Sequence, residues 1–223
     1  MHEALTKLYR SALEKFSPSS DSDLESLRRL TTSAETSLGR PTPKLMASET
    51  ERGSNWGSYA FEELRAGGFI TVDDADFAWF DSSEECVSDL MAQLAALEAA
   101  AIVRLSSMDC TDAMPEILER LSAFRKSRAA DKRLTSLFAH QRLMLAVVAS
   151  TGETKLFVEY AKRSSVAAIY ARAEMIDDQH IEGMIASAGT MVSLICNKEP
   201  MRCAAAAAAM RLHPDRVLDL EAL

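Results

Sequence analysis

The stretch FITVDDADFAWF, residues 69–80, constrains the fold more than any other part of this sequence. FITV and FAWF have the alternation typical of short strands, and DDAD between them has the composition of a turn. The segment before it is helical, since Ser54 or Asn55 can cap a helix that runs to about Ala66 and Gly67-Gly68 can end it. DSSEE begins another helix directly afterwards. The sequence therefore predicts one small hairpin in an otherwise helical chain.

Helical patterns also fill the chain on the N-terminal side of the hairpin. Apolar residues repeat at helical spacing from Leu5 to Phe16, until SPSSDSD interrupts them. Ser22 and Glu25 are spaced as a capping box for a second helix, which ends near Gly39. LMASETE then predicts a short helix ahead of the one that precedes the hairpin.

The second half of the sequence predicts about six helices and no convincing strand. Thr151-Gly152 is a tight break between two of the longer helices, and Pro200 stands at the first turn of the last one, where proline is tolerated. The predicted helices lie near 84–106, 114–129, 131–150, 153–174, 178–196 and 199–212.

This order of elements predicts the architecture. A hairpin directly after a capped helix is the arrangement of a winged helix, a helix-turn-helix variant with a two-stranded wing. We predict a mostly α protein in two parts. Residues 1–81 form a winged helix-turn-helix with an N-terminal helical extension, and residues 82–223 form an all-helical bundle.

Composition narrows the possible functions. The net charge of −8 argues against nonspecific binding to nucleic acid. No apolar run approaches the length of a membrane span, and the start MHEALTKLYR lacks a signal-peptide core. The cysteines show no CxxC pairing and no His at zinc spacing, which indicates reduced thiols in a cytoplasmic protein. They are Cys86, Cys110, Cys196 and Cys203.

The motifs of common enzymes are missing from the sequence. None of its serines stands in a nucleophile elbow, and its 8 glycines form no phosphate-binding loop. We therefore expect neither an enzyme nor a bound cofactor.

The segment PTPKLMASETERGSNWGSYAFEELRAGGFI resembles the DNA-binding domain of the GntR transcriptional regulators. It aligns without a gap on a P-S-E-x-x-L-A stretch followed by a V-S-R-x-x-V-R-E-A-L-x-x-L-x-x-x-G-L ending. The matching residues are Pro41-Thr42, Met46-Ala47, Ala60-Phe61, Leu64, Gly68 and Phe69.

The resemblance implies a DNA-binding role for the helix before the hairpin. Its implied contacts are Lys44, Arg52, Ser54, Asn55, Trp56, Ser58 and Tyr59, with Arg40 also available to phosphates. Asn55 is of a type that reads an adenine edge, whereas Trp56 is either a base contact or part of the core. Ser54 and Ser58 stand where the family has arginines, and the wing tip carries Asp73, Asp74 and Asp76 where the family has basic residues. Carboxylates repel phosphate, so the resemblance predicts DNA binding that the local charge weakens.

The predicted bundle resembles the FCD effector domain of the FadR-type subfamily. Leu97-Glu98 followed by alanines is similar to that domain's first helix, and HQRLMLAVVASTGE fits its D-x-x-x-H-x-x-L-x-x-A-S-G-N stretch. MVSLICNKEP, the alanine-rich segment and Met210-Arg211-Leu212-His213 fit its closing stretch.

The resemblance also places an effector site on Leu94, His140, Met144 and His213. In the family an Asp and three His hold a divalent metal, and an Arg holds an organic acid. Here those metal positions are His140, Met144, Ala188 and His213, and the Arg position is Leu94. Two imidazoles and a thioether suit a hard cation poorly, so we expect no metal. Either the site takes a neutral or largely apolar metabolite, or Met144 and Leu94 fill it and it binds nothing. His140 is then either a ligand or a hydrogen-bonded core residue.

These expectations describe a homodimeric bacterial transcriptional regulator. A small metabolite in the bundle would shift the placement of two heads on paired half-sites of double-stranded DNA. The alternative is a sensor or interaction protein that kept the fold but lost sequence-specific DNA binding.

Overall fold

The structure, a computed structural model, describes residues 39–66, 68–73, 76–81, 83–128, 133–170, 178–202 and 205. The two helices predicted before Gly39, and most of the one predicted near 199–212, lie outside these residues. Internal contacts divide the chain into two compact units, and among the described residues the division falls between Val87 and Ser88. We call residues 39–87 the head and residues 88–202 the helical unit.

The predicted fold class is confirmed, because the described residues form helices and one two-stranded hairpin in the expected order. The head contains α1 and α2, the hairpin and the start of α3, and the helical unit contains the rest. The elements are α1 Pro43–Glu49, α2 Ser54–Ala66, β1 Ile70–Asp73, β2 Asp76–Trp79, α3 Glu84–Ser106, α4 Met114–Ser127, α5 Arg133–Ser150, α6 Thr154–Tyr170 and α7 Asp178–Cys196.

The short helix α1 begins and ends two residues earlier than predicted. Thr42 caps it, since its hydroxyl accepts from the N–H of Leu45 at 3.1 Å, and Pro43 occupies the first turn. Glu51, predicted to be helical, instead has φ +56° in the turn that follows. A left-handed residue cannot continue a right-handed helix, so the turn between α1 and α2 begins before it.

The cap of α2 also differs from the prediction. The carbonyl of Gly53 accepts from the N–H groups of Trp56 and Gly57, so Gly53 holds the N-cap position and Ser54 is already helical. The predicted end of the helix is confirmed: Gly68 has φ +84°, and the N–H of Phe69 donates to Leu64 at 2.9 Å.

The packing of α1 on α2 depends on Gly57. A Cβ at Gly57 would lie 2.3 Å from the carbonyl oxygen of Pro43 and 2.9 Å from the Cβ of Ala47. Only a residue without a side chain allows this approach. The core that results contains Met46 from α1 and Ala60 and Leu64 from α2, all essentially inaccessible to solvent.

The start of α3 follows the predicted DSSEE signal. Ser83 accepts from the N–H of Cys86 at 3.4 Å, as a capping side chain does. The N–H of Ser83 donates in turn to Asp81 at 2.9 Å, and this bond holds the pKa of the Asp81 carboxyl below its ordinary value, with help from the Cys86 thiol.

The helical unit is built around α5. The residues of α5 from 143 to 149 are all buried, and a helix that is apolar on every side is covered on every side. α4, α6 and α7 each pack against it. Gly152, at φ +75°, separates α5 from α6 as predicted.

The prediction that no apolar run approaches the length of a membrane span is wrong. Among the described residues one helix, over Glu85–Ser106, is long and apolar enough to cross a membrane by length and composition. The same composition is typical of core helices. Leu90, Leu94 and Ile102 of this helix are buried within the protein, and so is the carboxylate of Glu98.

We predict that Gly57→Ala destabilises the protein by about 1–3 kcal/mol, because the added methyl group forces α1 and α2 apart. Scanning calorimetry measures the change. Gly39→Ala is the matched control, since a Cβ there meets nothing within 4 Å, and it is expected to leave the melting temperature unchanged. Equal stability of the two variants would contradict the role given to Gly57.

Candidate functional site

The exposed face of α2 is polar. Ser54, Asn55, Ser58 and Tyr59 are all exposed, and Tyr59 shows 48% of its surface to solvent. Their spacing of one, three and four residues places them on one side of the helix, opposite the side that packs on α1. The structure therefore brings together four of the seven residues predicted to contact DNA.

The other three predicted residues lie apart from this polar face. Lys44 is exposed on α1. Trp56 is half-buried on α2, with its indole nitrogen shielded from solvent. The guanidinium of Arg52 lies 4.7 Å from the centre of the Trp56 ring, a cation–π contact that fixes both side chains at the flank of the helix.

The wing is a regular antiparallel hairpin. Asp73 pairs with Asp76, Val72 with Phe77, Thr71 with Ala78 and Ile70 with Trp79. Two anchors fix its base: the indole N–H of Trp79 donates to the carbonyl of Gly39 at 3.0 Å, and the N–H of Phe80 donates to Phe69 at 2.8 Å. Asp73 and Asp76, predicted as part of the turn, belong to the two strands, and residues 74 and 75 lie outside the described residues.

The charges around α2 and the wing are mostly acidic. Residues 39–81 contain four Lys or Arg against eight Asp or Glu. Three of the four cations have local partners: Arg40 pairs with Asp76 on the wing, Arg65 pairs with Glu62 on α2, and Arg52 lies over Trp56. Such exposed pairs add little stability, but they lower the positive potential available to a phosphate.

Three of the four residues predicted to form the effector site are buried. Leu94, Met144 and Ala188, on α3, α5 and α7, have no solvent-accessible surface, and His140 is 2% exposed. The His140 ring packs at 5.3 Å from the ring of Phe124. His213 lies outside the described residues. Within the residues described, no group of three or more His, Cys, Asp or Glu side chains is arranged to hold a metal ion.

The sequence did not predict two buried side-chain hydrogen bonds in the helical unit. The hydroxyl of Tyr160 on α6 donates to the fully buried Glu98 of α3 at 2.7 Å. One turn further along α6, Ser164 accepts from the amide of Gln141 on α5 at 3.3 Å. Glu98 is the one charged residue between Asp89 and Arg104, and a single charge in such an apolar run was the available signal.

Comparison with known proteins is limited to structure. No protein-family model matches the sequence, and neither does any curated protein. Among solved structures the chain is similar to Lar, which is described as controlling the expression of the Listeria monocytogenes agr system and mediating virulence. The match has a TM-score of 0.64 and 14% identity, and covers 86% of this chain and 94% of Lar.

A second similar structure is E. coli McbR/YncC, with a TM-score of 0.61 and 13% identity. It covers 86% of this chain and 94% of the other. At identities this low, the two similarities establish a common fold, and they do not establish a family or a function. The shared fold is a winged helix-turn-helix joined to a helical domain.

We predict that Tyr160→Phe destabilises the protein by about 1–3 kcal/mol, because the buried Glu98 loses a hydrogen-bond donor. Urea titration followed by circular dichroism measures the loss. Tyr59→Phe removes the same hydroxyl from an exposed side chain and serves as the control, with an expected change below about 0.5 kcal/mol. A Tyr160→Phe variant as stable as this control would show that the hydrogen bond contributes no stability.

Proposed function

We propose that this chain is a bacterial transcriptional regulator whose helical unit binds a small metabolite and thereby controls DNA binding by the winged head. The observation that carries the proposal is the head itself: a short helix, a tight turn, a second helix with an exposed polar face, and a hairpin. This is the arrangement with which winged helices enter a major groove.

The structural neighbours support the same reading. Lar and McbR/YncC are GntR-family regulators, and their likeness extends over most of both chains. We assign this chain to the same kind of regulator, of the FadR type with an FCD-like helical domain. The domain boundary at residues 81 and 82, the homodimer and the cytoplasmic location belong to this proposal.

In this proposal α2 is the recognition helix. Asn55 reads an adenine edge, while Ser54, Ser58 and Tyr59 contact bases or phosphates beside it. Lys44 and Arg52 contact the backbone, and Trp56 supports the helix from its flank. With only four Lys or Arg in residues 39–81 the head neutralises few phosphates, so its affinity rests on base contacts more than on charge.

A second candidate function deserves a test because the head is acidic. The pairs Arg40–Asp76 and Glu62–Arg65 engage two of the four cations of residues 39–81, and carboxylates dominate the wing tip. A head of this charge also suits a sensor or interaction protein that kept the fold without sequence-specific DNA binding. We assign no catalytic role under either function.

The effector, in this proposal, is neutral or largely apolar and binds without metal. Leu94, His140 and Met144 are its expected neighbours, with His213 completing the set. The burial of Leu94, His140 and Met144 supports this choice, since an anionic ligand enclosed there would need a cation, and Leu94 stands where the family provides one.

We predict that selection from fragmented genomic DNA recovers a palindromic site, and that light scattering shows the protein as a dimer, as a palindrome requires. Asn55→Ala is expected to cost about 1–3 kcal/mol at one base pair of each half-site, because an adenine loses its bidentate partner. Fluorescence polarisation on matched and mismatched duplexes measures both effects.

One control variant and two contrary outcomes complete this experiment. Gln179→Ala, at an exposed position of α7, leaves α2 untouched and is expected to bind as the unaltered protein does. If selection at low salt yields no enriched palindrome, the sensor or interaction protein is the better account. Strong binding to random duplexes would contradict the charge argument made for the head.

We further predict that the purified, untagged protein contains no stoichiometric metal and gains no thermal stability from added Zn²⁺, Ni²⁺ or Mn²⁺. Two imidazoles and a thioether provide too few ligands and no charge for these ions. Elemental analysis and thermal-shift assays measure the two quantities. One equivalent of tightly held metal, lost in His140→Ala, would overturn this view of the effector site.

A further inference from the structure

An ion pair joins the wing to the segment that precedes α1. The guanidinium of Arg40 contacts one carboxylate oxygen of Asp76, and both side chains are exposed. The other oxygen of Asp76 accepts from the N–H of Phe77 at 2.9 Å, which holds the carboxylate on the hairpin. In the partner segment, the carbonyl of Gly39, the residue before Arg40, accepts from the indole N–H of Trp79. The surrounding contacts therefore hold the two members of this pair close together.

A cleft lies beside the pair. It has a volume of about 370 Å³ and is lined by residues 39–41 and by residues 76–79 of the wing. Arg40 supplies the positive charge of this lining and Asp76 the negative charge. A phosphate group is much smaller than the cleft, so it can reach the guanidinium of Arg40 without displacing the backbone. The pair is thus open to exchange with an external anion.

Asp76 and a phosphate group offer Arg40 the same kind of contact. Both present anionic oxygens, which accept charge-assisted hydrogen bonds from a guanidinium. While Arg40 contacts Asp76, the two charges cancel, and a phosphate of the DNA backbone gains little by approaching them. An exposed ion pair contributes little stability, so a phosphate can displace the carboxylate. The displaced carboxylate nevertheless remains nearby and repels the phosphate.

A supporting role for Asp76 is less consistent with this arrangement. An aspartate that positioned Arg40 for DNA would have to stay beside the bound phosphate, and two anions at one guanidinium repel each other. We propose that Asp76 competes with the phosphates of the DNA backbone for Arg40, and that this competition lowers the affinity of the head for DNA. The inference rests on the proposed function, to which it adds a restraint located in the wing.

Asp76→Asn tests the competition, because the amide removes the charge and still provides an oxygen that can accept from Phe77. The variant is expected to bind DNA about three- to tenfold more tightly at about 50 mM salt. The log–log dependence of affinity on salt is expected to steepen by about 0.9, as for one more neutralised phosphate. Because phosphate contacts carry no sequence information, the selected palindrome and a random duplex gain by the same factor. Fluorescence polarisation measures binding to both duplexes.

A double-mutant cycle separates competition from simple repulsion. Arg40→Gln alone is expected to change the affinity less than about twofold, since Arg40 is engaged with Asp76, and to remove most of the gain when combined with Asp76→Asn. The control is Glu182→Gln in the helical unit, which removes the same charge and releases Arg128 from another exposed pair. This control is expected to alter DNA affinity less than about twofold.

The outcomes separate this inference from the proposed function. A loss of affinity in Asp76→Asn would show that Asp76 positions Arg40 instead of competing for it. An equal gain with and without Arg40, or an equal gain in Glu182→Gln, would show that only net charge matters. If the unaltered protein binds its palindrome and Asp76→Asn binds it no better, the inference fails while the proposed function stands. If neither protein binds any duplex at about 50 mM salt, the proposed function fails as well.

Discussion

The geometry of the head depends on the contact at Gly57. Because α2 lacks a side chain there, its backbone comes against the carbonyl of Pro43, and the two helices pack at a distance that any other residue would increase. That approach buries Met46, Ala60 and Leu64 and turns the opposite side of α2 to solvent. The hairpin then attaches to the same helix through Phe61 and Phe77. The absence of a side chain at Gly57 thus determines which residues of α2 face solvent and can contact a ligand.

Polar groups in this protein are paired in two settings, at the surface and in the core. In the head, charged side chains stay exposed and pair across the surface, as Arg40 does with Asp76. In the helical unit, polar groups enter the core and bond to other core groups, as Glu98 does with Tyr160 and Gln141 with Ser164. Surface pairs can exchange for contacts to a partner at little cost, whereas core pairs resist exchange.

Much of the fold was predictable from the sequence, and the exceptions have physical causes. The capping residues and Gly68 predicted α2, and the alternation in FITV and FAWF predicted the hairpin. Both elements depend on local backbone preferences. The cap of α2 was misassigned because Gly53 supplies only a carbonyl there, while Ser54 is a stronger capping residue by type. The hydrogen bond of Glu98 was not predicted because its partner Tyr160 is 62 residues away. The four residues of the polar face of α2, Ser54, Asn55, Ser58 and Tyr59, were predicted together, whereas the flank position of Trp56 depends on Arg52 in the preceding turn.

The placement of the aromatic residues gives the two units different optical properties. Both tryptophans of the chain, Trp56 and Trp79, are in the head, one under the guanidinium of Arg52 and the other bonded to Gly39. Indole emission responds to such neighbours and to water. Tryptophan fluorescence is therefore a built-in label for the head alone, and the far-ultraviolet signal, dominated by the longer helices, belongs mainly to the helical unit. A single unmodified sample can report on each unit separately.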